Sequence, residues 1–538
     1  MPTSLDNVAI AERLEAFASL LDLAGSQPYA VRAYRRAAEL VRETPAPVAE
    51  LVLAGRAREL RGIGPGIERR LRELVETGQI AELEELERAV APEIVGVGRL
   101  LGLTPKRSVE IAQALGISTA EELRAAIRDG RLGAVPGIGP KTEARLREAL
   151  AQEGRPAPRR ALLLNRSRPL LEGIAAGVHG VMAGDPRRWR ETSDHLAIVS
   201  SDNDALDLFA HLPQIVAVVE RSDERAVGVT VEGVPVELVL TPPAGFGTEL
   251  LRATGSSPYV AALEPLPEAA TEEELYAKLG LPWCPPELRE EPFRGEPPPL
   301  LEPADVRGDL HCHTTWSDGR ASVLAMAEAA RERGYEYIAI CDHTPAVGAV
   351  PGVTPKDLRR QAEEVADANE RLAPFRVLRG VECDILRDGS LDLPDDALAE
   401  LEWVQASVHG GQRMPAAELT KRTVEAMRHP SVSALSHPKG RLLNHRPENA
   451  LDLDEVFGVA LETGVVLEVN GLPDRLDLSG AHVREALDAG VRIVVSTDAH
   501  SVRGLGNMEL AVRTARRGRA TAADVVNTRP LGELLSRR

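Results

Sequence analysis

The sequence lacks the features of a secreted or membrane-bound protein. Its 538 residues include four cysteines, which stand far apart in no paired spacing. This pattern disfavours a disulfide scaffold and favours a reducing cytoplasm. No stretch is apolar enough to span a bilayer, and the N-terminus has no basic segment followed by an apolar one, so we expect a soluble cytoplasmic protein. The cysteines are Cys284, Cys312, Cys341 and Cys383.

The sequence also lacks an excess of positive charge. Its formal net charge is −18 at pH 7, and lysine is scarce although arginine is abundant. This balance argues against a polycation that coats nucleic acid, but DNA can still be bound through local patches or backbone amides. The length exceeds what one hydrophobic core supports, so roughly two to four domains are expected.

Two histidines stand two positions apart after a short apolar run. Alternate side chains of a strand share one face, so His311 and His313 are expected to point the same way. Two imidazoles that converge in this manner can bind one metal ion, and Asp318 follows five residues later. Taken alone, the pair could equally be a surface strand tip that happens to carry histidine.

The chain beyond these histidines repeats one pattern, in which a strand-like apolar run ends in a side chain that can bind a metal. Helix-like segments at 324–333, 357–371 and 483–489 lie between the runs. Strands that alternate with helices predict a (β/α) barrel, whose functional groups lie at the carboxyl ends of the strands. Because nearly every strand end carries such a group, the sequence predicts a multinuclear metal site. The groups are His343, Glu382, His409, His437, Asn470, Asp498 and His500.

From about residue 306 to 527, this pattern resembles the PHP phosphoesterase domain. The resemblance implies a distorted seven-stranded barrel that holds three divalent metal ions. It assigns the first ion to His311, His313, Glu382 and Asp498, which are also the predicted catalytic residues. It assigns the second ion to Glu382, His409 and His437, and the third to Asp318, His343 and His500. Imidazole with carboxylate suits Mn²⁺ or Zn²⁺ better than Mg²⁺, and Arg441 is a candidate phosphate contact.

The N-terminal region is predicted to be helical and to bind DNA. Apolar residues recur at helical spacing at 10–21 and 31–41. A Gly-apolar-Gly turn followed by a helix occurs at 60–71 and again at 135–146, and both copies resemble helix-hairpin-helix modules. Glycines let such a turn approach a phosphodiester, and the first amides of the next helix donate to its oxygens without reading bases. The predicted DNA contacts are Gly62, Gly64, Gly66, Gly137, Gly139 and Lys141.

A mixed α/β region separates the helical region from the barrel. Residues 183–192 resemble the nucleotide-binding motif of family X DNA polymerases, and 242–256 extend that resemblance. Over about residues 7–527, the chain resembles bacterial family X polymerases with a C-terminal PHP domain. The implied fold class is multidomain, with an all-α helix-hairpin-helix region, an α/β nucleotidyltransferase-like palm and a distorted (β/α)7 barrel. The predicted boundaries are a helical region at 1–152, a palm- and thumb-like region at 160–288, a proline-rich linker at 289–304 and a PHP domain at 305–527.

The palm-like region departs from that family at the positions that hold the polymerase metals. Family members carry two aspartates two positions apart after an Arg-Glu-Thr, with a third on a later strand, and these hold the two metal ions. Here the paired positions carry His195 and Ala197, and the third carries Glu237. Shifting the register by one recovers Asp194 but no pair. We therefore predict a degenerate polymerase site and the loss of templated polymerisation.

These features together predict a DNA-binding, metal-dependent phosphoesterase. The expected activity is 3′-5′ exonuclease in DNA repair, with 3′-phosphatase or abasic-site endonuclease activity as variants, on gapped or 3′-ended duplex DNA near the nucleoid. Three alternatives stay open at this point. They are a phosphatase for a small ester such as histidinol phosphate, a non-enzymatic DNA scaffold, and an active family X polymerase.

Overall fold

Two compact units make up the described part of the chain. The computed structural model describes residues 5–23, 28–44, 46–60, 62–82, 94, 97, 101, 103, 105–151 and 161–536. The first unit contains the described residues of 1–187, 192–255 and 263–279, and the second contains those of 188–191, 256–262 and 280–538. Over these residues, no helix combines the length and the apolar character that crossing a membrane requires.

The first unit begins with a helical region. Its apolar positions Ile10, Leu14, Phe17 and Leu21 recur every three to four residues and are buried, which explains why this segment is an amphipathic helix. Two later helices begin with proline at their first position, directly after Gly64 and Gly139. The helices are α1 (Asn7–Leu23), α2 (Pro28–Glu43), α3 (Val48–Leu53), α4 (Pro65–Thr77), α5 (Pro105–Leu115), α6 (Ala120–Arg128) and α7 (Pro140–Ala151).

A mixed five-stranded sheet follows in the same unit. Its strand order is β2-β4-β7-β6-β5, with β4 parallel to β7 and the other neighbours antiparallel, and β1 pairs with β3 separately. The strands are β1 (Leu162–Leu163), β2 (Gly180–Ala183), β3 (Thr192–Ser193), β4 (Leu196–Ser200), β5 (Ile215–Arg221), β6 (Arg225–Thr230) and β7 (Pro235–Leu240). The helices are α8 (Leu164–Gly177), α9 (Gly184–Arg187), α10 (Ala205–Ala210), α11 (Phe246–Thr254), α12 (Ser257–Leu263), whose first six residues belong to the second unit, and α13 (Glu272–Leu279).

The second unit is built on seven parallel strands in sequential order. They are β8 (Gly308–Cys312), β9 (Tyr337–Ile340), β10 (Arg376–Asp384), β11 (Trp403–Ser407), β12 (Ala434–Leu435), β13 (Val466–Asn470) and β14 (Ile493–Ser496). The edge strands approach each other, because Cys312 forms a parallel bridge with Ala499 just beyond β14. The sheet is therefore a nearly closed barrel, which confirms the predicted barrel architecture. The run at 432–436 contributes a strand of only two residues, shorter than its apolar pattern suggests.

Helices cover the outside of this barrel. They are α14 (Val323–Glu332), α15 (Pro355–Leu372), α16 (Asp395–Ala399), α17 (Ala416–Met427), α18 (Leu453–Thr463), α19 (Gly480–Asp488), α20 (Met508–Arg517) and α21 (Leu531–Leu535). Parallel strands are covered on both faces, so their sequences are apolar without alternation. Every residue of β8, β9, β11, β13 and β14 is buried accordingly. A polar side chain in these strands must therefore have a partner inside the barrel.

Candidate metal centre

The nine predicted metal ligands lie together at the carboxyl end of the barrel. His311 is in β8 and Glu382 is in β10, whereas the other seven lie on loops that directly follow strands. This is the end at which barrel folds carry their functional groups. The loop residues are His313 and Asp318 after β8, His343 after β9, His409 after β11, His437 after β12, and Asp498 and His500 after β14.

The Glu382 carboxylate is the centre of this cluster. It is almost fully buried, and five imidazoles surround it. Its oxygens lie 2.8 Å from His343 Nδ1, 2.8 Å from His437 Nε2, 3.4 Å from His409 Nε2, 3.5 Å from His311 Nε2 and 3.7 Å from His313 Nε2. One carboxylate with this many nitrogen neighbours can be shared between two metal ions.

Two aspartates extend the cluster on either side of His313. Asp498 Oδ1 lies 3.0 Å from His313 Nε2, and Asp318 Oδ1 lies 3.9 Å from His313 Nδ1. Asp318 Oδ2 also lies 3.2 Å from His500 Nε2. Both nitrogens of one buried imidazole therefore face a carboxylate, so His313 stands between two groups of ligands.

Three groups of side chains have ligand atoms within 4.8 Å of one another. The groups are His311, His313 and Glu382; His343, Glu382 and His409; and His313, Asp318, His343 and His500. The first and third resemble the ligand sets predicted for the first and third ions. The second contains His343 in place of the predicted His437, although His437 also contacts Glu382. The number of ions and their identity stay predictions.

The unpaired polar atoms of the cluster fit bound cations. His311 Nε2 and His313 Nε2 face each other at 3.2 Å in a fully buried place. Among the residues that the structure describes, the buried atom His409 Nε2 has no hydrogen-bond partner, and Glu382 Oε2 and His343 Nδ1 lie 2.8 Å apart without a well-aligned hydrogen bond. Unpaired buried polar atoms are costly, and imidazole nitrogens with carboxylate oxygens are the donor set of Mn²⁺ and Zn²⁺ sites.

Outer hydrogen bonds orient the histidines of the cluster. His311 Nδ1 lies 2.6 Å from the Glu468 carboxylate, and His409 Nδ1 lies 3.2 Å from Asp384 Oδ1. His500 Nδ1 lies 2.8 Å from the carbonyl oxygen of Asp498. A proton on each Nδ1 leaves the Nε2 lone pair directed into the cluster, which is the usual way that proteins orient metal-binding histidines.

Glu468, a buried residue in β13, belongs to the candidate site although the sequence pattern did not predict it. Besides its bond with His311, its carboxylate accepts from Ser436 Oγ at 2.9 Å and from the His437 amide at 2.7 Å. A signal was present, because a lone acidic residue inside an apolar strand is costly unless it has partners. Asn470 was predicted as a strand-end group, and its side-chain amide donates to Asp498 at 2.9 Å and to Glu468 at 3.2 Å.

Charge in the cluster favours ionised carboxylates. Burial alone would raise the pKa of Glu382, but the neighbouring histidines, His409 first, hold that pKa well below its ordinary value. Burial would also raise the pKa of Asp498, but neighbouring histidines, His311 first, hold that pKa well below its ordinary value. Burial, with His500 and His343, lowers the pKa of His313 to about 4. These carboxylates are ionised and this imidazole is neutral near pH 7, which are the forms that bind metal.

Two residues of the cluster have left-handed backbone conformations. His437 has φ of 26° and Asp498 has φ of 53°. Such values are uncommon for residues other than glycine and persist where the surrounding structure holds them. The Glu468 carboxylate accepts the amide of His437, and Asn470 holds the Asp498 side chain. The side chains are thereby fixed toward the barrel axis at a conformational cost.

The predicted phosphate contact Arg441 is buried and already engaged. Its Nε donates to the Arg475 carbonyl at 2.9 Å, and Nη2 donates to the Leu476 carbonyl. It also lies 3.3 Å from Glu191, a residue of the same unit, whose pKa is about 2 because Arg517 and Arg441 outweigh the effect of its burial. A phosphate contact by Arg441 stays a prediction that would require these bonds to change.

The three residues of the predicted degenerate polymerase site come together on the five-stranded sheet. Ala197 in β4 is the direct partner of Glu237 in β7, and His195 Nε2 lies 3.2 Å from Glu237 Oε2. Arg225 Nε donates to the other oxygen of Glu237. The bond from His195 and the charge of Arg225 lower the pKa of Glu237 to about 2 although burial opposes them. Asp194 is exposed and does not join this group.

The predicted DNA-contacting glycines lie in two hairpins with matching geometry. The Ile63 amide donates to the Leu60 carbonyl at 3.1 Å, and the Ile138 amide donates to the Val135 carbonyl at 3.1 Å. Gly62 and Gly137 have φ of 116° and 78°, so these turns need glycine there. The remaining predicted contacts also lie on the surface side of the hairpins, as Gly64 is half-buried and Gly66, Gly139 and Lys141 are exposed.

Comparisons with known proteins agree with this organisation. Residues 5–80 match the helix-hairpin-helix domain, residues 99–152 match the SAM-like helix-hairpin-helix tandem, and residues 309–470 match the PHP domain. Part of the chain is also similar to proteins named "Probable phosphatase". One, from Photobacterium profundum, is 31% identical over 37% of this chain and 81% of its own length. Another, from Acetivibrio thermocellus, is 32% identical over 36% of this chain and 78% of its own.

One of the similarities extends over nearly the whole chain. The protein named "DNA polymerase/3'-5' exonuclease PolX" from Bacillus subtilis is 32% identical over 97% of this chain and 97% of its own length. The match therefore extends over both the hairpins and the barrel. The chain belongs to the bacterial family X DNA polymerases that carry a C-terminal PHP domain.

Proposed function

We propose that this chain is a metal-dependent phosphoesterase that degrades DNA from its ends as a 3′-5′ exonuclease and has lost templated polymerisation. The observation that carries the proposal is the surroundings of Glu382. Five histidines face this buried carboxylate, and its Oε2 lies 2.8 Å from His343 Nδ1 without a well-aligned hydrogen bond. Such an arrangement is costly unless cations bind there, and it has no evident structural role.

The proposed metal ligands are the nine residues predicted from the sequence. Bound divalent ions would supply a water of lowered pKa and would neutralise the phosphoryl oxygens. His311, His313, Glu382 and Asp498 are proposed as the catalytic set, with His409 and His437 sharing Glu382. Glu468 and Asp384 keep His311 and His409 in the tautomer that presents Nε2.

The hairpins are proposed to hold the DNA. Their exposed glycines and the first amides of α4 and α7 would contact the phosphates of a gapped or 3′-ended duplex, with Lys141 adding one positive charge. In a chain with a net charge of −18, such local contacts supply the grip that overall charge does not. We assign these roles to a helical region at 1–152 and a barrel domain at 305–527, acting in the cytoplasm near the nucleoid.

We propose that the palm-like region at 160–288 no longer catalyses polymerisation. Residues 289–304 are proposed as the linker to the barrel. Nucleotidyl transfer needs two metal ions held by carboxylates. Glu237 is engaged by Arg225 and His195, and Ala197 offers no ligand atom. The negative charge of Glu237 is therefore compensated without a metal ion.

A single assay tests the proposal. Purified protein is incubated with Mn²⁺ and DNA labelled at one end or the other, with and without deoxynucleotides, and the products are resolved by length. We expect progressive shortening from the 3′ end and no template-matched addition. Template-matched addition would contradict the assignment of the palm, and the absence of any hydrolysis would contradict the assignment of the barrel.

A second candidate function is hydrolysis of phosphomonoesters. The similarity of part of the chain to proteins named "Probable phosphatase" favours it. If the phosphomonoester is a 3′-phosphate of DNA, the hairpins can bind the DNA that carries it. If the substrate is a free metabolite such as histidinol phosphate, the hairpins have no role in binding it. The rate on a 3′-phosphorylated oligonucleotide, compared with the rate on the free ester, separates the two substrates.

A further inference from the structure

Three loops at the carboxyl end of the barrel each carry an arginine that the metal centre itself does not use. Loop 408–415 follows β11 and carries Arg413, loop 436–452 follows β12 and carries Arg446, and loop 471–479 follows β13 and carries Arg475. These loops rise from the same end of the barrel as the nine clustered ligands.

The three loops pack against one another. A Cβ atom added at Gly440 would lie 2.7 Å from the Gln412 side chain, so the first two loops are in contact. The Leu443 amide donates to the Asp474 carbonyl at 2.7 Å, which joins the second loop to the third. Arg446 Nε donates to the Gly440 carbonyl at 2.9 Å, which places this guanidinium at the junction.

Arg475 reaches the metal centre. Its Nε lies 3.6 Å from Asp498 Oδ2, whereas His313 Nε2 lies near the other oxygen, Oδ1. Asp498 Oδ2 already accepts from Asn470 at 2.9 Å. Within the described part of the chain, the buried atoms Nε and Nη1 of Arg475 have no hydrogen-bond partner. A largely buried guanidinium with two nitrogens that form no hydrogen bond favours binding of a further acceptor, because burying unbonded polar atoms is costly.

The charges of two of these arginines act on the third, Arg446. Burial lowers the pKa of Arg446, and the charges of Arg475 and Arg413 lower it further, against the opposing charge of Asp477. Mutually repelling guanidinium groups are stabilised by an anion between them. A surface groove of about 530 Å³ runs along residues 441–448 beside Arg446, which is enough space for a nucleotide.

We propose that Arg475, Arg446 and Arg413 form a cationic rim that binds the phosphates of a nucleic-acid strand at the metal centre. Arg475 contacts an oxygen of the phosphoryl group to be hydrolysed, and Arg446 and Arg413 contact the adjacent phosphodiester. The rim therefore confers preference for a polynucleotide over a small phosphate ester. This inference rests on the proposed phosphoesterase function and adds the determinants of its substrate class.

The rim is tested with four variants of the full chain. Arg475→Gln and the double variant Arg413→Gln/Arg446→Gln remove rim charge, and Arg475→Lys keeps a charge without the planar fork. Arg371→Gln is the matched control, since this exposed arginine ends α15 near the opposite end of the barrel. The measurements are metal content by elemental mass spectrometry, equilibrium binding of a fluorescent phosphorothioate trinucleotide that resists hydrolysis, and rates on an oligonucleotide and on p-nitrophenyl phosphate.

Arg475→Gln is expected to weaken trinucleotide binding on the order of tenfold at unchanged metal content, and Arg475→Lys is expected to weaken it less. The double variant should weaken binding by a similar factor, reduce its salt dependence, and lower the oligonucleotide rate more than the p-nitrophenyl phosphate rate. Arg371→Gln should bind like the unaltered chain.

Two results would overturn the rim. The rim is contradicted if Arg475→Gln binds the trinucleotide as tightly as the control does. It is also contradicted if the loss of binding accompanies a loss of metal, because Arg475 would then act only by positioning Asp498. An equal effect of the double variant on both substrates would overturn the contact with the adjacent phosphodiester. If the unaltered chain hydrolyses no DNA while trinucleotide binding still depends on these arginines, the exonuclease proposal fails and the rim stands.

Discussion

Two carboxylates, Glu382 in the barrel and Glu237 in the five-stranded sheet, are flanked by histidine but differ in what neutralises them. Glu237 is paired with Arg225, so a permanent cation from the chain itself lies beside it. Glu382 has no arginine or lysine partner among the described residues and is instead surrounded by imidazoles whose nitrogens point at it. A carboxylate beside a permanent cation of the chain has little need of a metal ion, whereas a carboxylate among imidazoles is surrounded by side chains that can bind one with it. The residues around an acidic side chain therefore indicate whether its site can bind a metal ion better than the acidic side chain alone does.

The largest expected effect comes from removing the carboxylate at the centre of the barrel cluster. Glu382→Ala should reduce DNA hydrolysis at least about a thousandfold and lower the bound metal count, because a shared carboxylate supports two ions. End-labelled DNA degradation and elemental analysis measure the two effects. Glu364→Ala, an exposed position on α15, is the control and should retain both. Full metal occupancy in an active Glu382→Ala protein would refute the cluster.

The second test asks whether the sheet site can still work when the barrel is silenced. With His311→Ala blocking degradation, we expect no template-directed primer extension with Mg²⁺ or Mn²⁺, because loss of the paired carboxylates removes orders of magnitude of two-metal stabilisation. Single-nucleotide extension assays with each of the four deoxynucleotides measure this. Addition of the one nucleotide that matches the template would show that the two sites differ less than we infer.

A third test weakens the barrel cluster from outside. Glu468→Gln removes the negative charge that orients His311 and should lower metal affinity and activity by about 10- to 100-fold while the fold persists. Metal titration followed by activity measurement at saturating Mn²⁺ separates affinity from rate. Glu402→Gln, at the opposite end of the barrel where Glu402 accepts the Arg379 amide, is the comparison. Equal effects of the two substitutions would assign Glu468 a purely structural role.

The hairpins permit a test that separates DNA grip from chemistry. Gly64 and Gly139 have open space where a Cβ atom would lie and lack positive φ, so Gly64→Ala/Gly139→Ala should leave the fold intact. The added methyl groups should weaken binding of duplex DNA of any sequence by about tenfold and leave hydrolysis of p-nitrophenyl phosphate unchanged. Gly458→Ala, also open but on the exposed side of α18, is the control. A parallel fall in the small-substrate rate would contradict the division of labour.

The smallest expected effect concerns the stability that Arg225 gives to the sheet. The pKa of Glu237 is lowered to about 2, so its pairing stabilises the fold above the ordinary pKa of 4.5 and this contribution is lost as pH falls toward 2. Because Arg225 is half exposed, Arg225→Gln should cost less than about 1 kcal/mol at pH 7. Melting temperatures at pH 7 and pH 4 should show a smaller difference from the unaltered chain at the lower pH. A constant difference would argue against charge pairing as the cause.

The sequence by itself determined the elements and the chemical inventory of the candidate site. Helical periodicity at 10–21 and 31–41, and apolar runs that end in histidine or carboxylate, are local properties, and the corresponding helices and strands form. Parallel strands place their carboxyl ends at one edge, so His311, His343 and His437 could be expected to meet from chain order alone. The sequence also shows that position 197 cannot bind a metal ion, because an alanine side chain has no donor atom.

Only the tertiary structure decided which atoms face each other. The pairing of His343 with Glu382, the bonds that Glu468 makes to three neighbouring groups, and the approach of Arg475 to Asp498 join residues far apart in the chain. Their distances depend on strand register and loop packing, which no local pattern encodes. The same holds for Arg441, whose guanidinium binds backbone carbonyls of a neighbouring loop. Side-chain identity set what this site could bind, and packing across the barrel set which groups are left to bind it.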